Sequence, residues 1–259
     1  MKKYNVTKIP YVLKNVSLPK ELSVSSTIPS EEGTVILVKA KSHLGKKNDL
    51  DFTSSRLGWL WEGDIIPGVL GYRKAATEFA GIVPEKVKVG DTLHLLCESG
   101  VVGKIEGVFP AWGTPMEVEV LGAVAGINGT ILNIKNYVLF EKTKENKKEI
   151  PLIIFLSTIM DAGKTTMITK LIHQFVQNGK SVATIKLTGV AFSQDLMKMK
   201  DAGATTVYDF VDNGLPSTCN GNSKQVVTSA LSLVSAAKEK NPDIIFAEFG
   251  DGVLGEYHV

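Results

Sequence analysis

The sequence predicts an α/β protein in which a C-terminal parallel-sheet domain is preceded by a small β-barrel-like domain. Three observations predict it. Residues 33 to 140 read as short strands separated by turn signals, with no long helical period between them. From Ile150 onward, apolar strands alternate with amphipathic helices, the pattern of right-handed crossovers and a parallel sheet. Between the two textures lies a charged stretch, Glu141 to Glu149, with no apolar side chain to bury.

In the first half the expected strands are Thr34–Ala40, Asp64–Tyr72, Thr92–Cys97, Val101–Val108, Glu117–Leu121 and Thr130–Ile134. Met116 to Val120 alternates apolar and acidic residues, as a half-buried antiparallel strand does. Ile66-Pro67-Gly68, Val89-Gly90-Asp91, Ser99-Gly100 and Ile127-Asn128-Gly129 supply the turns. This organisation gives an arm at 1–32, a β-rich barrel or sandwich at 33–140, a linker at 141–149 and a second domain at 150–259.

In the second half, Leu152–Leu156 is a continuous apolar run, expected to be a strand covered on both faces. The helix after it is expected to bury Met167, Ile168, Leu171, Ile172, Phe175 and Val176, and Asn178-Gly179 stops it. Ser181–Ile185 is a strand, Ser193–Ala202 a helix ended by Gly203, and Thr205–Phe210 a third strand. Ser223–Lys240 is a helix with Ser223 as N-cap and Pro242 just beyond its end, and Asp243–Ala247 is the last strand.

Composition narrows the function. A formal net charge of +2 over 259 residues gives no basic excess, which argues against a nucleic-acid partner. No run approaches the roughly 20 apolar residues of a membrane span, and the first residues lead into no signal-peptide core, so a cytoplasmic protein is expected. Cys97 and Cys219 stand far apart without metal-ligand spacing.

The segment Phe155-Leu156-Ser157-Thr158-Ile159-Met160-Asp161-Ala162-Gly163-Lys164-Thr165-Thr166 is the most informative. An apolar strand meets a short loop ending Gly-Lys-Thr, and a helix follows: the layout of a phosphate-binding P-loop. Amides of Thr158, Asp161, Ala162, Gly163, Lys164, Thr165 and Thr166 are the expected phosphate cradle, because a helix start carries unpaired donors at its positive end. Lys164 would reach the terminal phosphates and the Thr165 hydroxyl would meet Mg²⁺. Thr158 stands where the usual pattern has its first glycine.

Ligands of parallel α/β sheets bind outside the carboxyl ends of the strands. That rule selects Lys186, at the end of the second strand, Asp195 just beyond it, and Glu248 at the end of the last. Mg²⁺ takes a few carboxylates with hydroxyl, phosphate and water, so Thr165, Asp195 and Glu248 are the expected metal set. Lys164 and Lys186, with Glu248, are the expected catalytic groups, the lysines stabilising charge on a moving phosphoryl group. Gly250 and Gly252 are expected to let backbone approach a substrate. Asp209 to Gly221 reads either as a wall for the acceptor substrate or as a surface connection.

These motifs carry a resemblance. Ser157-Thr158 to Thr166 is similar to the loop of dethiobiotin synthetases, with Ser157 in place of the first glycine and Thr158 on that family's threonine. Lys186-Leu187-Thr188-Gly189 and Glu248-Phe249-Gly250-Asp251-Gly252 resemble its later segments. The molybdopterin-guanine dinucleotide accessory proteins (MobB-like) are similar through Ala183-Thr184-Ile185-Lys186, Asp195, Asp201-Ala202-Gly203-Ala204 and Glu248. The overall likeness is to P-loop proteins that carry a β-rich N-terminal domain. The resemblance covers about residues 150 to 252 and implies a P-loop NTPase domain with Mg²⁺ and ATP or GTP as cofactors. Related domains continue beyond the last motif, so either the chain is a fragment or its sheet is unusually small. ATP and GTP both stay open.

Two functions follow. One is an enzyme, kinase-like or ATP-dependent-ligase-like, that phosphorylates or activates an unknown small-molecule acceptor. The other is a nucleotide-binding accessory protein with slow NTPase activity that acts on a partner enzyme. A purely structural role requires the loop to be coincidental. Homo-oligomerisation is open.

Overall fold

A computed structural model describes residues 2–42, 45–140, 149–219 and 222–257. The expected linker falls almost wholly on 141–148, outside the described residues. The chain divides into two compact units: Met1–Tyr137 with Gly214–Pro216, and Val138–Asn213 with Ser217–Val259. No helix among the described residues is long and apolar enough to cross a membrane.

The first unit is built from β1 (Lys2–Asn5), β2 (Glu21–Ser25), β3 (Val35–Ser42), β4 (Asp49–Asp51), β5 (Leu57–Trp59), β6 (Ile65–Leu70), β7 (Arg73–Lys74), β8 (Phe79–Ile82), β9 (Thr92–Cys97), β10 (Val101–Val108) and β11 (Glu117–Ala125). Nine of them form one sheet in the order β1-β2-β11-β3-β6-β10-β8-β7, with β9 pairing both β10 and β11. Alternation builds the core: Ile36, Val38 and Ala40, Leu93 and Leu95, and Val118 and Val120 all point into one buried cluster.

Two expectations about this half are corrected. The arm expected at 1–32 holds two strands of the main sheet, β1 and β2, and a 3-10 helix at Tyr11–Leu13. Thr130–Ile134 is not a strand. It makes only isolated bridges, Ala125 with Ile131 and Thr34 with Asn133, before a 3-10 helix at Ile134–Asn136. The Asn133 side chain accepts the Lys135 amide, and such local side-chain bonding competes with a sheet ladder.

The second unit contains β12 (Leu152–Phe155), α1 (Lys164–Gln177), β13 (Val182–Thr188), α2 (Ser193–Asp201), β14 (Thr206–Asp209), α3 (Ser223–Glu239) and β15 (Ile244–Phe249). The strands lie in the order β12-β15-β13-β14, every pair parallel. Phe246 and Ile244 pack with Ile168 and Ile172 of α1 and Met199 of α2 on one face. Ile245 and Ala247 pack with Leu233 and Ala237 of α3 on the other. Phe246 stacks edge-on with Phe155 and Phe175 at centroid distances of 5.6 and 5.5 Å, an arrangement worth about 0.5–1.5 kcal/mol per pair beyond area burial.

The helix ends follow the sequence signals. Gly179, at φ +74°, donates to the Val176 carbonyl while Lys180 donates to Phe175, the paired bonds that close a helix through a left-handed glycine. Gly203, at φ +107°, and Ala204 repeat the pattern on Lys200 and Met199. The α3 cap is corrected by one position: the Asn222 side chain, not Ser223, accepts the Lys224 amide.

Two burial expectations also change. β12 is an edge strand, and Leu152, Ile153, Ile154 and Leu156 are 38–54% exposed rather than covered on both faces. Met167 is exposed, because α1 meets the sheet through the narrower stripe of Ile168 and Ile172, flanked by Leu171 and Phe175.

Candidate functional site

The site grows from the carboxyl ends of the parallel strands. Residues in register across a sheet project to the same face. Phe155 of β12, Glu248 of β15, Lys186 of β13 and Asp209 of β14 are in register and form one row across the sheet. Glu248 shares its face with Ile244 and Phe246, the face that α1 and α2 cover. The row therefore sets a carboxylate, an ammonium and a second carboxylate side by side beneath the start of α1.

The loop from Leu156 to Gly163 connects β12 to that helix. Asp161 and Gly163 adopt left-handed backbone at φ +59° and +84°, and no side chain caps the first turn. The helix amides thus remain donors without an intrahelical partner. Thr158, Asp161, Ala162, Gly163 and Thr166 are exposed along this loop and first turn.

Lys164 turns back across the loop. Its Nζ donates to Ser157 Oγ at 2.6 Å and to the Asp251 carbonyl at 2.5 Å. Ser157 Oγ also lies 2.6 Å from the Ile159 carbonyl. Burial pushes the Lys164 ammonium below its usual range, and nearby Glu248 and Asp251 partly restore it. Ser157 and the Asp251 carbonyl are partners of Lys164 that motif reading missed. The only signal was the hydroxyl standing in place of a glycine.

Thr165 donates its hydroxyl to Glu248 Oε1 at 2.8 Å. Glu248 is 3% exposed, and its other oxygen, Oε2, has no hydrogen-bond partner. Burial raises the Glu248 carboxyl above its ordinary value, against the pull of Lys186, and Asp195 raises it further. A buried acceptor without a donor is costly, about 1–3 kcal/mol, and calls for a positive partner.

Lys186, 5% exposed, pairs with Asp195 at 2.6 Å. Burial alone would lower the lysine, but Asp195, Glu248 and Asp209 outweigh it and the net shift is upward. Burial would raise Asp195, but Lys186 outweighs it and holds the carboxyl below its usual range. The two partners agree on a charged pair. Asp195 thus sits against the Lys186 ammonium, while Glu248 keeps a free oxygen.

A divalent cation fits part of this set. The hard oxygen of Glu248 Oε2 and the lone pairs of the Thr165 hydroxyl, which donates its hydrogen elsewhere, are ligands of the kind Mg²⁺ takes. Among the described residues no three His, Cys, Asp or Glu side chains gather as a metal site. Mg²⁺ commonly completes its shell with phosphate and water, so two protein ligands suffice.

The glycines after β15 do not open the backbone to a substrate as expected. A Cβ on Gly250 would lie 2.3 Å from the Thr188 carbonyl, and one on Gly252 would lie 2.4 Å from Thr158. Their close approach is to the protein itself. The segment from Asp209 to Cys219 is not a surface connection either: Phe210, Val211, Leu215, Ser217, Thr218 and Cys219 are each under 4% exposed.

Residues 153–248 match the family model for molybdopterin guanine dinucleotide synthesis protein B, less than half of the chain. The matched segment opens in β12, contains the loop and ends on Glu248, and this likeness supports nucleotide binding. No curated protein matches the chain. Among solved structures, the chain is similar to the signal recognition particle receptor FtsY of Elizabethkingia anophelis, with 20% identity over 45% of this chain and 35% of that one, at a TM-score of 0.30. It is also similar to the signal recognition particle 54 kDa protein of Aeropyrum pernix K1, solved in complex with GDP, with 16% identity over 45% of this chain and 26% of that one, at a TM-score of 0.29. The chain spans about a third of the first protein's length and a quarter of the second's, and neither score establishes a common fold.

Proposed function

We propose that the second unit binds a Mg²⁺–nucleoside triphosphate, ATP or GTP, and cleaves or transfers its terminal phosphoryl group. The observation that carries this reading is Glu248. A buried carboxylate with one unpartnered oxygen stands beside the Thr165 hydroxyl, at the mouth of a loop whose lysine reaches across it.

The roles follow from the chemistry. The amides of the loop and first turn of α1 receive phosphate oxygens. Lys164 brings its ammonium to the terminal phosphate. Thr165 and Glu248 would hold Mg²⁺, which supplies charge neutralisation when bound. Lys186, kept charged by Asp195, adds positive potential beneath the phosphates. Asp195 serves as the orienting partner of Lys186. Catalysis of this kind is positioning plus charge stabilisation, without a covalent intermediate on the protein.

Two continuations differ in what receives the energy. In the first, an unknown small-molecule acceptor is phosphorylated or activated, as the resemblance to dethiobiotin synthetases implies. In the second, the domain is an accessory NTPase acting on a partner enzyme. The match over residues 153–248 favours the second and suggests a partner in molybdopterin guanine dinucleotide synthesis. On either reading the protein works in the cytoplasm. We also infer that the sheet of the first unit closes as a small barrel, since β9 pairs β10 and β11 and completes the cycle β11-β3-β6-β10-β9. On the accessory reading that domain is the docking surface for the partner.

The test is nucleotide turnover across a metabolite panel. Stimulation by one small molecule supports the enzyme reading. Slow, unstimulated turnover with a partner captured only in the presence of nucleotide supports the accessory reading. Absence of any Mg²⁺-dependent nucleotide binding refutes both.

A further inference from the structure

We propose that residues 251–254 form a strap over the phosphate loop, fastened by Lys164 and released by bound phosphate. The proposal rests on the nucleotide reading above. Four contacts define the strap. The Val253 amide donates to the Ser157 carbonyl at 2.9 Å and the Leu254 amide to the Thr158 carbonyl at 3.2 Å. Lys164 Nζ donates to the Asp251 carbonyl, and Ser157 Oγ lies 3.3 Å from the same oxygen. Gly252 lies so close to Thr158 that no side chain fits between them.

The fastening is a competition for one ammonium. The Asp251 carbonyl is a neutral acceptor, whereas a phosphate oxygen is charged, and charge-assisted bonds are roughly twice as strong. A phosphate at the loop draws Lys164 off the strap. What remains is two amide bonds and the long Ser157 hydroxyl contact, on a segment whose side chains Val253 and Leu254 are 51% and 77% exposed and add little packing. Asp251 is itself held at φ +64°, an uncommon conformation for a residue with a side chain, and opening relieves it. The strap begins three positions after Glu248, so the groups that meet the cation and the segment that moves are joined by a very short tether. Its two exposed apolar side chains then report whether the loop holds phosphate.

Amide hydrogen exchange on the full chain tests this. In Lys164→Met without nucleotide, the Val253 and Leu254 amides should exchange at least about tenfold faster than in the native protein, while the amides of β13 keep their protection. The native protein with Mg²⁺ and a saturating non-hydrolysable ATP or GTP analogue should show the same gain. Gly252→Ala, which unseats the strap without touching Lys164, should bind that analogue severalfold more tightly. Unchanged protection in Lys164→Met, stronger protection with analogue, or an unchanged analogue affinity in Gly252→Ala each overturns the strap. If titration detects no analogue binding to the native protein, the nucleotide reading falls and the phosphate trigger falls with it, whatever Lys164→Met does to the exchange rates.

Discussion

Thr165 and Glu248 stand 83 positions apart in the chain and meet at 2.8 Å, the hydroxyl of the first turn of α1 donating to the carboxylate that ends β15. The bond exists because the parallel register puts Glu248 on the face that α1 covers and next to the strand that leads into the loop. It occupies one carboxylate oxygen and leaves the second without a hydrogen-bond partner.

Glu248→Gln separates stability from function. Burial raises the native carboxyl above its ordinary 4.5, so the charged form is disfavoured in the fold. For an acid with a raised pKa, stability falls as pH rises from the ordinary value through the folded one and stays reduced above it. The amide carries no such penalty. Glu248→Gln should melt a few degrees higher than the native protein at pH 7, and the gain should shrink towards pH 4. Mg²⁺-dependent nucleotide affinity should fall at least about tenfold. Thermal melts at both pH values, with a Mg²⁺ titration, check this.

The Lys186–Asp195 pair has the opposite sign. Asp195 is held below its ordinary 3.8, so its contribution is complete above that value and is lost as pH falls through the lower folded one. Lys186 is held above 10.5, so its contribution is complete below that value and is lost as pH rises through the folded one. Asp195→Asn leaves a buried ammonium without its nearest partner and should cost about 3 kcal/mol at pH 7. The cost should vanish at strongly acid pH, where the native aspartate is also neutral. Denaturant titrations at pH 7 and at a series of falling acid pH values measure both.

Gly163 tests the loop's shape. It precedes α1 at φ +84°, and a Cβ there would meet nothing within 4 Å, so any penalty for a side chain is purely conformational. Gly163→Ala should cost about 1 kcal/mol of stability. Nucleotide affinity should drop more than stability, since a relaxed φ turns the Lys164 amide away from the phosphate. Melting and titration of the same sample separate the two effects.

The order of strands and helices in the second unit was legible because apolar runs, Asn178-Gly179, Gly203 and Pro242 each carry a local physical signal. The exposure of β12 was not. An apolar run such as Leu152–Leu156 reports what side chains are, and only strand order reveals that this one lies at an edge. Met167 was misplaced because a helix's apolar arc can be wider than the stripe its neighbours cover. Thr130–Ile134 lost its strand to the Asn133 side chain, and residues 1–32 hid two short strands, of which β2 pairs with the sequence-distant β11 and β1 with β2. That Lys164, Thr165, Lys186, Asp195 and Glu248 gather at one end of the sheet was readable, each from its place at a strand end or helix start. Which carboxylate takes the lysine and which keeps a bare oxygen depends on register and distance, and that required coordinates. The same holds for Ser157, whose hydroxyl gains its meaning from a lysine turning back across the loop.

Isothermal titration of the native protein and Lys164→Met with Mg²⁺–ATP and Mg²⁺–GTP tests the central claim most directly. The native protein should bind at least one of them with one site per chain, only when Mg²⁺ is present, and Lys164→Met should weaken that binding about a hundredfold or more while keeping the native melting profile. Equal affinity in both proteins, or heat of binding that does not depend on Mg²⁺, would contradict the account.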